Sequence, residues 1–186
     1  MSLLQQIQQI AKISKEALDF IETHIENVEV KKGTLLLRNG KVCSNFYFVT
    51  KGMLRSYYFS DSKEVTNWFA LENDFATSIF SFLSGKAGYE NIEALEDTTI
   101  EMLSSNTLQE LYLKFPETER AGRLIMENYY IQLEERLINI QFKSAKDRYE
   151  LLMKKYPEII LRAPLGAIAS YLGITQETLS RIRGSK

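Results

Sequence analysis

The 186-residue chain is 45% hydrophobic and 11% aromatic, enough to bury one sizeable core and a smaller second unit, which excludes disordered and collagen-like classes. No apolar run reaches membrane-span length, and Met1-Ser-Leu-Leu-Gln-Gln has neither the basic start nor the apolar centre of a signal peptide, so a cytoplasmic chain without a membrane partner is expected. The net charge of −1 hides an asymmetry: residues 143 to 186 carry nine Lys and Arg against four Asp and Glu, so the acidic excess lies in the first 142 residues.

From the start of the chain, Leu3, Leu4, Ile7, Ile10 and Ile13 recur at helical intervals and predict a short amphipathic helix. Ser14 is placed to cap a second one, with Ala17, Leu18, Ile21 and Ile25 inward. His24, the only histidine, falls on its exposed flank and reads as a surface residue. A lone cysteine, Cys43, excludes an intrachain disulfide and cannot by itself hold a metal or an iron–sulfur cluster, so neither metal nor cofactor is expected.

At Val28 the period changes to that of strands. Val28 and Val30, Leu35 and Leu37, Phe46 to Val49, Leu54 to Phe59, Val65 to Phe69, Ile92 to Leu95 and Thr99 to Leu103 are short β-rich runs. Between them stand the turn signals Lys32-Gly33, Asn39-Gly40, Lys51-Gly52 and Asp61-Ser62. Strands this short and this regularly spaced predict an antiparallel barrel or sandwich.

Asn106 or Thr107 then opens a short helix with Leu108, Leu111, Tyr112 and Phe115, stopped by Pro116. The longest helical pattern runs from Glu117 to about Phe142. Within it Met126, Tyr130, Leu133, Leu137 and Ile140 step by four, three, four and three residues, the seam of a coiled coil and so a candidate dimer interface. A second stripe, Ile125, Tyr129 and Ile138, is available to the chain's own barrel. The rival reading packs the first stripe on the chain itself and leaves a monomer.

Lys143-Ser144 reads as a hinge, with Ser144 capping a helix from Arg148 to Tyr156 that ends at Pro157. The last stretch has the residue types of two helices joined by a tight turn. Ile168 and Leu172 share one face, Ala169 permits close packing, and Gly173 accepts the positive φ of the turn. Thr175 is a good N-cap, and Ile174, Leu179 and Ile182 bury the second helix. Gln176, Glu177, Ser180, Arg181 and Arg183 are left on its outer side, where with Thr175 they can reach base edges or phosphates. The bland reading of the same pattern is an amphipathic pair that closes a core.

Lys32-Gly33, Gly40, Phe46-Tyr-Phe-Val-Thr-Lys51-Gly52, Glu72-Asn-Asp74-Phe75 and Ala94-Leu-Glu96-Asp97, followed by a long helix and this helix-turn-helix, resemble the Crp/Fnr family of bacterial transcription regulators over nearly the whole chain. The resemblance implies an α+β protein with an antiparallel β-roll effector domain of the cyclic nucleotide-binding-like kind at 1–116. A long dimerisation helix at 117–143 and a helix-turn-helix DNA-binding domain at 144–186 would follow. The implied partners are a double-stranded DNA operator and a second copy of the chain, with a small-molecule effector and RNA polymerase as further candidates. In matching family positions Gln176, Glu177 and Arg181 reach the major groove, with Ser180 close by. Since Lys186 lies three residues past Arg183, a full hairpin wing after the recognition helix is not expected.

The departures concern the effector. Family members that bind cyclic nucleotides carry a Gly-Glu whose carboxylate takes the ribose hydroxyl and an Arg that neutralises the phosphate. Here residues 73–82 contain no Gly-Glu, the arginine position falls near Gly88 or Tyr89, and Glu90 brings a negative charge. An anion without its arginine loses a bidentate, charge-assisted pair. Lys86 could substitute only if its loop refolds. Trp68, Phe69, Phe80, Phe82 and Tyr89 would line an apolar pocket or simply fill the barrel. The cysteine-ligated redox branch of the family and a haem reading resting on His24 find no residues to support them.

Two functions compete: a homodimeric, sequence-specific regulator with a degenerate nucleotide site, and a sensor whose helical tail contacts a protein instead of DNA. No paired carboxylates, activated nucleophile or phosphate loop supports an enzyme, and no catalytic residue is assigned.

Overall fold

The computed structural model describes residues 1–184. It opens with α1 (Leu3–Ile10), whose first turn is closed by a capping box between Ser2 and Gln5. The apolar periodicity continues to Ile13, yet the helix stops at Ile10. Ser14 must be extended to cap α2 (Lys15–His24), so the three residues before it leave the helical path. His24 is exposed, its ring stacked on Phe20 at 4.1 Å.

Eight strands follow: β1 (Glu26–Val30), β2 (Leu35–Leu37), β3 (Asn45–Lys51), β4 (Leu54–Ser60), β5 (Lys63–Ala70), β6 (Phe75–Ala76), β7 (Asn91–Ala94) and β8 (Thr98–Ser104). They form two antiparallel four-stranded sheets, β1-β8-β3-β6 and β2-β7-β4-β5, which face each other as a β-roll. Val30, Leu37, Tyr47, Val49, Leu54, Ile92 and Ile100 fill the space between them, with Trp68 against this cluster. Cys43 belongs to the same core, its Sγ 3.4 Å from Asn45 O and from Thr77 Oγ1.

The turns behave as their residues dictate. Asp61 and Ser62 both take positive φ (48° and 64°), the mirror-image two-residue turn whose twist matches the flanking strands β4 and β5. Gly52 sits at φ +95°, where a Cβ would come within 2.7 Å of the Thr98 Cα, so the β3–β4 turn requires glycine.

Between β6 and β7 lies a six-residue helix, α3 (Ile79–Ser84). Residue patterning did not reveal it, because it is under two turns long and its N-cap Ser78 makes no side-chain capping bond. After the roll come α4 (Ser105–Lys114), α5 (Glu117–Phe142), α6 (Ala145–Lys155), α7 (Pro157–Arg162), α8 (Leu165–Tyr171) and α9 (Gln176–Gly184). Ser104, rather than Asn106 or Thr107, caps α4. Pro157 ends α6 as expected, but it also opens α7, because its missing N–H costs nothing at a first helical position.

The break at 143–144 is a break in the helix and not in the packing. Lys143 is extended and Ser144 caps α6 through a capping box with Asp147, as the sequence indicates. The core beneath α6 to α9 nevertheless includes Met53, which is wholly buried, together with Phe69, Leu71 and Leu95 of the roll.

Candidate nucleic-acid interface

The turn between α8 and α9 is a Schellman motif built on Gly173 at φ +66°. Its N–H donates to Ser170 O at 3.0 Å, and the Ile174 N–H reaches back to Ala169 O at 3.0 Å, which satisfies carbonyls the helix end would leave bare. Ile168, Ala169, Leu172 and Leu179 are buried, while Ile174 and Ile182 pack at the edge of the same cluster. The spacing read from the sequence is therefore realised residue by residue.

Thr175 starts α9: its Oγ1 accepts from the Thr178 N–H at 3.2 Å. Its bond to Glu177 holds that carboxyl below the usual carboxylate range. Gln176, Glu177, Ser180, Arg181 and Arg183 are all exposed, so the outer face of α9 is polar and open. The Gln176 amide lies back over Gly166, the one position in α8 where a side chain would collide with it. The expected lack of a hairpin wing concerns the chain after Gly184 and lies outside the described residues.

Behind this face, three arginines fix the helices to the body. Arg148 donates Nε–H to Leu172 O at 2.9 Å and Nη1 to Lys143 O at 2.7 Å, so one side chain caps the ends of both α8 and α5. Arg162 of α7 grips Glu72 with two bonds (2.8 and 2.9 Å) and also pairs with Glu96, both carboxylates belonging to the roll. Glu72 accepts a further bond from the Gly52 N–H at 2.8 Å. The Arg162 guanidinium pulls the Glu72 carboxyl down to about 2, and Arg162 is itself raised. Arg136 of α5 donates to Thr66 O (3.1 Å) and Tyr171 O (3.4 Å) while its guanidinium covers the Tyr171 ring at 4.6 Å. Ser170 completes the seam, accepting from Thr66 N–H at 2.7 Å and donating to Glu64 O at 3.0 Å. None of these partners was foreseen from the sequence, since each is separated from its counterpart by 20 to 106 residues except the local cap at Lys143.

The long helix keeps its seam bare. Tyr130 is 65% exposed and Leu137 54%, Leu133 and Ile140 are exposed as well, and Met126 is half-buried. The second stripe is corrected at one residue. Ile125 and Tyr129 face the body, but Ile138 is exposed, because nine residues after Tyr129 is about two and a half turns and points the opposite way. The body-facing row continues instead through Arg136. Ile138 joins Ile131 and Phe142 in a further exposed apolar row that the sequence reading did not separate.

The five residues considered for an effector pocket are not brought together. Phe80 and Tyr89 stack on the surface with ring centres 5.3 Å apart, Tyr89 being 71% exposed, and Lys86 is exposed beside them. Phe82 lines a cavity under α4 and α5, and Trp68 lines another between the roll and α5. Gly88, near the family's arginine position, is buried against α3, where a Cβ would lie 3.1 Å from Ser81 Cβ and 3.2 Å from Ser78 Oγ. Its backbone is bonded both ways to the 38–41 turn. Arg55 is the one buried charged side chain among the described residues, and it is already held by Glu64 (2.7 Å), Glu93 (3.0 Å) and Thr66. Glu90 is bound by Ser56 and Asn67.

Comparison with known proteins agrees with this architecture. The family model described as a cyclic nucleotide-binding domain matches residues 27–115. Electron transport regulator A of Shewanella oneidensis is 23% identical over 185 residues, covering 92% of this chain and 73% of that protein. The fumarate and nitrate reduction regulatory protein of Vibrio cholerae is 24% identical with the same coverage. Among solved structures, FixK2 from Bradyrhizobium japonicum superposes with a TM-score of 0.74 at 20% identity, over 87% of this chain and 83% of that one.

Proposed function

We propose that this chain, whose residues 27–115 match the cyclic nucleotide-binding domain and whose relatives are named as regulators, is a Crp/Fnr-type transcription regulator that reads operator DNA as a homodimer through α9, with its nucleotide site lost. The observation that carries the reading is the pairing of two uncovered surfaces. One is the polar face of α9, held rigid by the Gly173 turn, and the other is the apolar seam of α5 from Met126 to Ile140.

A single recognition helix reads few base pairs, whereas two helices related by a two-fold axis meet successive major grooves about 34–36 Å apart. The seam supplies that axis: burying such side chains is worth roughly 1.5–3 kcal/mol each before entropy is subtracted. Gln176, Glu177, Ser180 and Arg181 then face base edges, and Thr175 and Arg183 the flanking phosphates. The basic excess after residue 142 gives a moderate electrostatic attraction to the backbone.

Selection of bound sequences from a random DNA pool, followed by gel shifts at rising salt, tests this reading. Enrichment of a two-fold symmetric site with half-sites one helical turn apart, and binding that weakens steeply with salt, is expected. Recovery of no preferred sequence would leave the alternative, a tail that contacts another protein.

A further inference from the structure

Strand β5 is one edge of its sheet and β6 one edge of the other, and residues of both line a common space with residues of α5 and of the reading unit. Where these three parts meet is a cavity of about 340 Å³, within the range of small-molecule sites. Its walls are rich in rings, with Trp68 from β5, Tyr129 from α5, and Tyr156 and Tyr171 from the reading unit. It contains none of residues 85–93, so it is separate from the loop that carries Gly88.

Two polar atoms on its wall lack partners. The Arg136 Nε–H is buried with no acceptor, although both Nη atoms are used, and among the described residues Arg136 has no carboxylate at ion-pair distance. The Asn73 Oδ1 is buried with no donor, on a residue held at φ +73°. Buried polar groups are nearly always paired, and an orphan loses its hydration without compensation. Both side chains line the same cavity, and one of them is a fixed cation with no carboxylate beside it.

We propose that this junction cavity binds a small planar aromatic acid, with its ring among Trp68, Tyr129, Tyr156 and Tyr171 and its carboxylate on Arg136. Guanidinium and carboxylate form the strong, charge-assisted kind of hydrogen bond, and a carboxylate that displaces the wall over the Nε–H would give it the acceptor it lacks. A hydroxyl or amino group on the ring would satisfy Asn73. Met126 and Leu133 line the cavity and also belong to the seam, so a second copy of α5 covers its mouth. Because the ligand would touch β5, α5 and α8 together, its binding changes how firmly the reading unit is held. That consequence rests on the regulator reading; the binding itself does not.

Trp68 is the only tryptophan, so its emission reports occupancy directly. The full chain is titrated with 2-naphthoate and with neutral 2-naphthamide, followed by calorimetry and by Trp68 emission. The acid is expected to saturate below about 1 mM and to bind at least about tenfold more tightly than the amide. Arg136→Gln is expected to abolish the preference for the acid over the amide. No saturation by the acid, or equal affinity for acid and amide in the wild type, overturns the proposal, and this second comparison needs no variant to fold. Gel shifts of the same preparations on the selected operator separate the two readings. A chain that binds DNA but not naphthoate loses only this proposal, and one that binds naphthoate but no DNA loses only the regulator reading.

Discussion

Two glycines mark the two ends of this molecule's chemistry. Gly173 sits at positive φ with open space around its Cα, and it is there because the backbone must turn between α8 and α9. Gly88 is buried and packed on Ser78 and Ser81, in the stretch where the family's arginine position falls, near Gly88 or Tyr89. One glycine shapes a turn, and the other packs a loop against a helix. The roll survives without that arginine because its stability lies in the apolar interior from Val30 to Ile100, which does not depend on what the β6–β7 connection binds. Fold and ligand are written in different residues, and only the polar ones have to change for the ligand to be lost.

The largest expected effect tests whether the reading end works as a pair. Leu133→Asp with Leu137→Asp places like charges opposite their own copies, in a seam where each leucine otherwise gains about 1.5–3 kcal/mol by burial. Dimer affinity should fall by more than about a thousandfold, and operator binding should vanish while α9 stays folded. Sedimentation velocity at micromolar concentration checks it. A wild type that sediments as a monomer, or a double mutant that still dimerises and shifts DNA, would show that the seam has been misassigned.

Legibility in the sequence followed the range of each interaction. Elements governed by local spacing were readable: the strands by alternation, α5 by its apolar steps, and α8 and α9 by Ala169, Gly173 and Thr175. What failed was short or distant. β6 has two residues and α3 six, too few for any period to show. Arg136, Arg148 and Arg162 carry no local pattern that distinguishes them from surface arginines, yet Arg136 and Arg162 tie the later helices to the roll and Arg148 ties α6 to the ends of α5 and α8. The misplacement of Ile138 has the same root. A period tells which residues share a face over a turn or two, and the helix has rotated half a turn away by the time nine residues have passed.

The clamp of Arg162 on Glu72 and Glu96 gives the next effect. The folded Glu72 carboxyl lies at about 2, below its ordinary value of 4.5, so its contribution is present above pH 4.5 and is lost as pH falls toward 2. Solvent reaches a third of the Glu72 side chain, which reduces the pair to about 1 kcal/mol. Thermal stability should therefore drop in that acid window, and Arg162→Ala should flatten the drop. An equally steep acid loss in the variant would place the titration elsewhere. On the operator, Arg181→Ala should cost about 1–3 kcal/mol and relax preference at a single base pair, most simply a guanine. Fluorescence anisotropy on operators substituted one position at a time reads it out, and unchanged affinity and preference would remove Arg181 from the reading face.

The smallest expected effect is none at all, and it tests the other glycine. Cyclic AMP and cyclic GMP should give no saturable heat at micromolar concentration, because the one buried cation among the described residues that a cyclic phosphate could meet beside Gly88 is already paired. Arg55 is engaged by Glu64 and Glu93, and Glu90 adds a negative charge held by Ser56 and Asn67. Desolvating a phosphate against that charge without a guanidinium is unfavourable. Restoring the arginine alone should not restore the site. In Gly88→Arg the new Cβ would lie 3.1 Å from Ser81 Cβ and 3.2 Å from Ser78 Oγ, so α3 must shift before the side chain can reach inward. That variant should melt at a lower temperature than the wild type and still ignore cyclic AMP, by calorimetry and by differential scanning. A micromolar dissociation constant in either protein would mean that the cassette reorganises around the nucleotide, and that the packing of Gly88 on α3 is a resting position rather than a filled site.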